Sequence, residues 1–213
     1  TVFVCDSNED SSTEDKHISS LAAKDVDGII YISTKSDVKQ IYKDYKIPVV
    51  HIDRRPEHAG TLIISDNEMG GFLATEALIK DGCKDILMLS DKNYYSTTRN
   101  RYKGYVDAHK KYSLPLNEGN VRKTDVSYAS SYDAIFCNND MMALGALQAL
   151  KDSGISVPEK CKIVGFDDIT LSEICDPPIT TIQQDTDMFG KKSVETLLNL
   201  IENNEIKNKN DIY

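Results

Sequence analysis

Two short apolar segments joined by a helical run constrain the fold of this chain more than any other feature. The first apolar segment is 134–137 (AIFC), and the second is 162–166 (KIVGF). The run between them, 141–151 (MMALGALQALK), has a helical pattern. Strand, helix and strand in this order predict a βαβ unit, whose two strands lie parallel in one sheet.

A polar turn follows each of the two predicted strands. Asn139 and Asp140 come after the first strand, and Asp167 and Asp168 come after the second. Ligands of open parallel sheets bind outside the carboxyl ends of the strands, so these turns predict a ligand site. We interpret Asp140 as the N-cap of the helix that follows, and Asp168 as a structural residue.

The same alternation of apolar and helical segments repeats along the chain, whose 213 residues suffice for one large α/β domain or two smaller lobes. Predicted strands occupy 1–5, 26–32, 47–54, 61–65 and 85–90. Predicted helices occupy 14–24, 36–45, 68–81, 97–111 and 187–203. Gly70 and Gly71 lie in the first turn of a helix, where each costs about 1 kcal/mol against alanine, which indicates a close backbone approach. The alternation predicts a doubly wound α/β fold.

Composition argues against several classes of protein. The net charge is −9, so the chain has no basic surface of its own for binding DNA. No apolar run reaches the ~18 residues of a membrane span. The five cysteines include no Cys-x-x-Cys pair, which favours free thiols in a reducing cytoplasm. The four histidines show no metal-ligand spacing, and we expect neither a metal nor a cofactor.

Enzyme motifs are also missing from the sequence. We find no Gly-x-Ser-x-Gly elbow, His-Glu-x-x-His pair, phosphate-binding loop or Gly-x-Gly-x-x-Gly fingerprint. Asp167 and Asp168 are adjacent, and neighbouring residues of a strand point to opposite faces, so they do not form a catalytic carboxylate pair. We therefore expect a binding protein rather than an enzyme.

Several ordered sequence blocks resemble one known family. The blocks are VDGII, IPVVHID, NDMMALGA, GISVPE, VGFDD and PPITTIQQ. At this spacing they resemble the effector-binding domain of the LacI/GalR (lactose-repressor) family of bacterial transcription regulators. The resemblance extends over roughly residues 1–203.

The resemblance implies a two-lobed periplasmic-binding-protein-like fold of type I, in which each lobe is a parallel sheet flanked by helices. The N-terminal lobe is expected to comprise 1–89 and 185–204, and the C-terminal lobe 90–184. A small molecule would bind in the cleft between the lobes.

Some parts of the family pattern have no counterpart in this sequence. The DNA-binding helix-turn-helix and the first strand and helix of the core are expected to precede Thr1. Residues 112–131 are poorly patterned, whereas the family has a further strand and helix there. The polar tail 205–213 is expected to lack the closing strands of the family.

The resemblance also implies ligand-binding roles for three polar residues. Asp167 matches an aspartate that accepts hydrogen bonds from effector hydroxyls or ring nitrogens, and a carboxylate accepts two such bonds at once. Arg101 matches an arginine whose guanidinium fork reaches the ligand, with Arg99 as the alternative register. Asn139 matches a position that contacts sugar hydroxyls as donor and acceptor together.

Three further residues are weaker candidates for ligand contact. Phe136 lies at a strand end, where some relatives stack a ring on the effector, and its alternative is the apolar core. Gln184 lies in the TTI-x-Q segment, where the chain recrosses between lobes. Asp66 begins the helix that carries the two glycines, and an N-cap is its alternative role.

The function implied by this resemblance is the effector-binding and dimerisation core of a cytoplasmic repressor. A small molecule, with a sugar as the first expectation, would shift the lobe arrangement and so control operator DNA binding by a homodimer. One alternative is a periplasmic-type sugar-binding protein of a transporter. Another is a regulator whose effector is a protein co-repressor. These residues do not separate pentose, hexose, phosphosugar and purine.

Overall fold

The computed structural model describes residues 1–90, 95–116, 121–123, 131–203 and 210–212. Its helices are α1 Ser11–Ala23, α2 Lys39–Asp44, α3 Asn67–Lys80, α4 Ser96–Lys111, α5 Asp140–Asp152, α6 Thr170–Ile174 and α7 Thr186–Asn203. Its strands are β1 Ile29–Tyr31, β2 Val49–Ile52, β3 Thr61–Ile64, β4 Ile86–Ser90, β5 Val121–Lys123, β6 Ala134–Cys137, β7 Lys162–Asp167, β8 Thr180–Gln183 and β9 Asn210–Ile212. None of the described helices is both long and apolar enough to cross a membrane.

The chain divides into two compact units. Unit 1 contains Thr1–Ser65, Tyr95–Thr97 and Asp185–Tyr213, and unit 2 contains Asp66–Tyr94 and Thr98–Gln184. Along the chain, unit 1 is therefore first followed by unit 2 just before α3. The first boundary between lobes that the sequence predicts falls instead after residue 89.

Unit 1 is built on a parallel sheet of strand order β1-β2-β3-β9. Successive residues of β2 point to opposite faces of this sheet. Val49 packs in one apolar cluster with Ile18 of α1 and Ile41 of α2. Val50 packs in another with Phe189 of α7. Helices cover both faces of this sheet, which explains why Val49 and Val50 are both apolar.

Unit 2 is built on a second parallel sheet, of order β5-β4-β6-β7-β8. Ile135 of β6 belongs to an apolar cluster with Leu147 of α5. Phe136, the next residue, belongs to a cluster with Leu78 of α3 and Tyr105 of α4. The fold predicted from sequence, parallel sheets flanked by helices, is confirmed.

Glycines bring α3 against its neighbours in unit 2. A Cβ atom on Gly71 would lie 2.2 Å from the carbonyl oxygen of Arg101, and one on Gly104 would lie 2.0 Å from that of Glu68. A Cβ on Gly70 would lie 2.6 Å from Cε2 of Phe166. The backbone of α3 therefore touches α4 directly, which explains both the glycines in its first turn and its place in unit 2.

The structure corrects the sequence prediction at both ends of unit 1. Residues 1–5 are not a strand, and Val2 and Val4 are 88% and 92% exposed. An apolar segment becomes a strand only where another strand completes its hydrogen bonds. Conversely, the polar tail contributes β9, whose Asp211 pairs in parallel register with Ile63 of β3.

One poorly patterned segment is partly described. Within 112–131, Val121–Lys123 form β5, which pairs in parallel with β4 at the edge of the second sheet. Residues 117–120 and 124–130 lie outside the described residues, so the family's further helix is not tested in this region.

Candidate functional site

Three of the predicted site residues meet at the carboxyl edge of the sheet in unit 2. Asp167 is the last residue of β7. Nε2 of Gln184 donates a hydrogen bond to Oδ1 of Asp167 over 2.7 Å. Nη2 of Arg101 lies 3.7 Å from the same oxygen, and the Asp167 side chain remains 31% exposed against 5% for Arg101. The carboxylate is thus fixed by two neighbours while part of it faces solvent.

Buried polar and aromatic groups hold the guanidinium of Arg101 in place. Its Nε donates to Oδ1 of Asn67 over 2.8 Å, and its Nη1 donates to the carbonyl oxygen of Asn138. Its Cζ atom lies 3.6 Å from the ring centroid of Phe166. A buried charge is tolerated when its donors are satisfied in this way, and the cation–π contact fixes the plane of the fork. Arg99 is exposed, so the structure places Arg101 beside Asp167.

The backbone at this strand end has an uncommon conformation. Asp167 has a φ of 111° and Asp168 a φ of 57°. Positive φ costs a non-glycine residue of the order of 1–3 kcal/mol, and such residues collect at binding sites. The N–H of Asp168 donates to Oγ1 of Thr181 over 3.3 Å, so β8 supports the turn.

The two polar residues after β6 have roles that differ from those expected from the sequence. Asn139 is the N-cap of α5, and its Oδ1 accepts a hydrogen bond from the N–H of Met142 over 2.8 Å. Asp140 was expected to be the cap, but it is the fully buried first residue of the helix. Its Oδ1 accepts from the hydroxyl of Thr181 over 2.6 Å, and its Oδ2 accepts from the N–H of Ile169 over 2.9 Å. Asp140 therefore joins β8 to the turn that follows β7.

Two other candidates are not brought to this cluster. Phe136 is fully buried among Ile86, Val164 and other core residues, so its ring fills the interior of unit 2 rather than facing a ligand. Asp66 is the N-cap of α3, and its Oδ1 accepts from the N–H of Met69 over 2.9 Å. Each residue therefore occupies the structural role given as its alternative.

The residues around Arg101 include two that sequence reasoning missed. Asn67 is 2% exposed and Phe166 is 1% exposed, and both contact the guanidinium. Asn67 looks in the sequence like an ordinary first residue of a helix, and Phe166 like a core residue of a strand. Only the packing of α3 on α4 and β7 shows that both position a charged group.

Unit 1 has a polar cluster of its own at the carboxyl end of β2, which sequence reasoning also missed. Nη2 of Arg54 donates to Oε1 of Glu9 over 2.7 Å, and its Nε lies 3.9 Å from Oδ2 of Asp53. Its Cζ atom lies 3.8 Å from the ring centroid of Tyr95. The sequence gives one indication of this cluster, since Asp53 and Arg54 directly follow a buried strand.

Comparison with known proteins places this geometry in a family. Residues 75–212 match the family model described as a periplasmic binding protein-like domain. The HTH-type transcriptional repressor PurR of Haemophilus influenzae (strain PittEE) is 34% identical over 218 residues, which cover 94% of this chain and 65% of that protein. The chain therefore spans slightly less than two thirds of the length of the curated relatives it matches.

Solved structures give the same result. A periplasmic binding protein/LacI transcriptional regulator from Alkaliphilus metalliredigens QYMF, complexed with D-xylulofuranose, superposes with a TM-score of 0.87 at 27% identity, covering 100% of this chain and 83% of that one. The transcriptional regulator CelR in complex with cellobiose superposes with a TM-score of 0.86 at 27% identity, covering 95% and 68%.

The parallel-sheet units and the polar strand ends define a ligand-binding domain of the periplasmic-binding-protein type. The chain belongs to the periplasmic binding protein-like domain family, in the branch of the LacI/GalR transcription regulators, as its sequence blocks indicated. The relatives reported above carry the names of transcription regulators.

Proposed function

We propose that this chain is the effector-binding and dimerisation core of a cytoplasmic LacI-type repressor, and that Asp167 is the residue on which effector recognition depends. The observation that carries the proposal is the partly exposed carboxylate of Asp167, fixed by Gln184 and Arg101 at the carboxyl end of β7. A carboxylate in this position accepts two hydrogen bonds from neighbouring hydroxyls.

A sugar or sugar derivative is the effector class that this chemistry supports best. Arg101 contributes donors to ligand oxygens, while Asp167 contributes acceptors to ligand hydroxyls. Solved structures at 27% identity are complexes with D-xylulofuranose and with cellobiose, which supports the same class. Gln184 completes the proposed polar set, and Asn139, Asp66 and Phe136 are secondary to it, because the first two cap helices and the third lies in the core.

Control of DNA binding would follow from a shift of populations. The effector favours one arrangement of the domain by differential contacts, and an N-terminal DNA-binding domain like that of the repressor relatives responds to the shift. A homodimer would match two operator half-sites, since their two-fold axis mirrors that of the protein. A protein co-repressor is the alternative effector.

A thermal-shift screen of the chain against pentoses, hexoses, sugar phosphates, disaccharides and purines tests the effector class. A ligand at a hundred times its dissociation constant adds about 2.7 kcal/mol of stability, which a melting experiment detects. A hit among the sugars supports the proposal. A panel without hits contradicts the sugar assignment and favours the protein co-repressor.

Matched variants then test the site with the ligand found. Asp167→Asn should weaken binding by about a hundredfold, roughly 2.7 kcal/mol, because it removes a charged acceptor. Asp168→Asn is the control, since this exposed neighbour tolerates asparagine at its positive φ. Arg101→Gln should weaken binding more than Arg99→Gln. Wild-type affinity in Asp167→Asn, measured by calorimetry, would remove Asp167 from the site.

A further inference from the structure

Three side chains of metal-ligating type meet in unit 1, outside every site described above. Asp37, Glu57 and His58 each offer one ligand atom, and these three atoms all lie within 4.8 Å of one another. Oδ1 of Asp37 lies 2.8 Å from Nδ1 of His58. All three residues are exposed, so an ion could reach them from solvent.

The backbone holds the two segments that carry these side chains together. Asp37 and Glu57 form a parallel bridge, in which the N–H of Val38 donates to the carbonyl oxygen of Glu57 over 3.1 Å. The N–H of Glu57 in turn donates to the carbonyl oxygen of Ser36 over 2.6 Å. The segment after β1 and the segment after β2 are thus fixed to each other, and the donors are placed before any ion arrives.

The charges of the cluster suit a divalent cation. Two carboxylates and one imidazole supply oxygen and nitrogen ligands of the kind that divalent transition-metal ions bind. Across the described part of the chain, Glu57 forms no ion pair with a lysine or arginine. The hydrogen bond between Asp37 and His58 satisfies those two side chains and does not engage the carboxylate of Glu57.

We propose that Asp37, Glu57 and His58 bind a divalent first-row transition-metal ion, with Zn²⁺ as the test ion. Zinc lies about 2.0–2.2 Å from imidazole nitrogens and carboxylate oxygens, so two ligand atoms of a tetrahedral site are about 3.3–3.6 Å apart. Nδ1 of His58 and Oδ1 of Asp37 are 2.8 Å apart in their hydrogen bond, and these exposed side chains would separate by about 0.5–0.8 Å to hold the ion. Three protein ligands leave the remaining coordination positions to water or to another ligand. Asp37 lies 21 residues before His58, which explains why motif spacing did not reveal the set.

Calorimetric titration with ZnCl₂ tests this proposal. The exposed thiol of Cys5 is an alternative zinc ligand, so the titrations are done in the Cys5→Ser background. The parent variant should bind one Zn²⁺ per chain. His58→Gln and Glu57→Gln should each weaken that binding at least ~tenfold, since even groups that only orient a metal ligand contribute that much. His17→Gln is the matched control and should leave the affinity unchanged, because His17 lies outside the cluster and contacts the Asp6 carbonyl oxygen.

The Glu57→Gln variant separates a metal site from a simple ion pair. It leaves the Asp37–His58 hydrogen bond in place and removes only the third ligand. Unchanged zinc affinity in either Glu57→Gln or His58→Gln would overturn the proposal. So would zinc binding that disappears with Cys5→Ser alone, because the exposed thiol would then be the ligand. These outcomes are independent of effector binding at Asp167.

Discussion

The contact between α3 and α4 allows a sharp test of the packing in unit 2. Gly71→Ala would place a methyl carbon 2.2 Å from the carbonyl oxygen of Arg101 and 2.8 Å from its Cα atom. Uncrowded heavy-atom contacts are about 3.5 Å long, so the two backbones must separate by on the order of 1 Å. The obstacle is main chain, which cannot rotate away as the end of a side chain could.

The expected magnitude follows from two opposing effects. Alanine gains about 1 kcal/mol over glycine from helix propensity. Overpacking a filled interior costs about 1–3 kcal/mol, and a clash with backbone belongs at the upper end of that range. Gly71→Ala should therefore lower the free energy of unfolding by up to about 2 kcal/mol. Gly145→Ala, in α5, should raise it by about 1 kcal/mol, because no atom lies within 4 Å of the new Cβ.

Urea unfolding followed by circular dichroism measures both variants against the parent chain. The difference between them isolates the packing cost, because the helix-propensity gain is common to both. Gly104→Ala should behave like Gly71→Ala, since its Cβ would lie 2.0 Å from the carbonyl oxygen of Glu68. If Gly71→Ala were as stable as Gly145→Ala, the direct backbone contact between the two helices would be refuted.

Three further predictions concern buried residues. Burial lowers the pKa of His51 from 6.5 to about 4. The unfolded chain then binds more protons, so stability is full above pH 6.5 and falls by up to roughly 3 kcal/mol as the pH drops towards 4. His51→Gln should flatten the measured free energy of unfolding over that range; an unchanged slope would contradict the assignment. Phe136→Ala should lower the free energy of unfolding by about 3–5 kcal/mol in urea, because the whole ring is buried. Asp140→Ala should lower it by at least ~2 kcal/mol, since Ile169 and Thr181 lose their acceptor, and wild-type stability would exclude these bonds.

Much of unit 2 could be predicted from the sequence because its central strands are buried on both faces. Such strands are continuous apolar runs, so 134–137 and 162–166 stand out without any pairing information. The turns after them had to lie at one edge of the sheet, and Asp167 does lie there with Arg101 and Gln184. These relations follow from local pattern and from the topology of parallel sheets.

The remaining features depend on contacts that no local pattern encodes. Asn67 supports Arg101 across 34 residues of chain, through a helix contact that only glycine permits. Asp211 has no apolar signal, yet its backbone pairs with β3. Val2 and Val4 have a strand signal without a paired strand, so they stay exposed. Asn139 rather than Asp140 caps the helix, because the carboxylate of Asp140 is engaged in buried hydrogen bonds. The partners in those bonds lie far along the chain.

The buried carboxylate of Asp140 restricts which residues can occupy position 165. A Cβ atom on Gly165 would lie 2.1 Å from Oδ1 of Asp140, and that oxygen is held by the hydroxyl of Thr181. The side chain of Asp140 thus occupies the space that a side chain at position 165 would need. During divergence of such domains, a residue larger than glycine could enter position 165 only after position 140 had exchanged its carboxylate for something smaller. The two positions should therefore change as a pair among descendants of this sequence, although they lie on different elements.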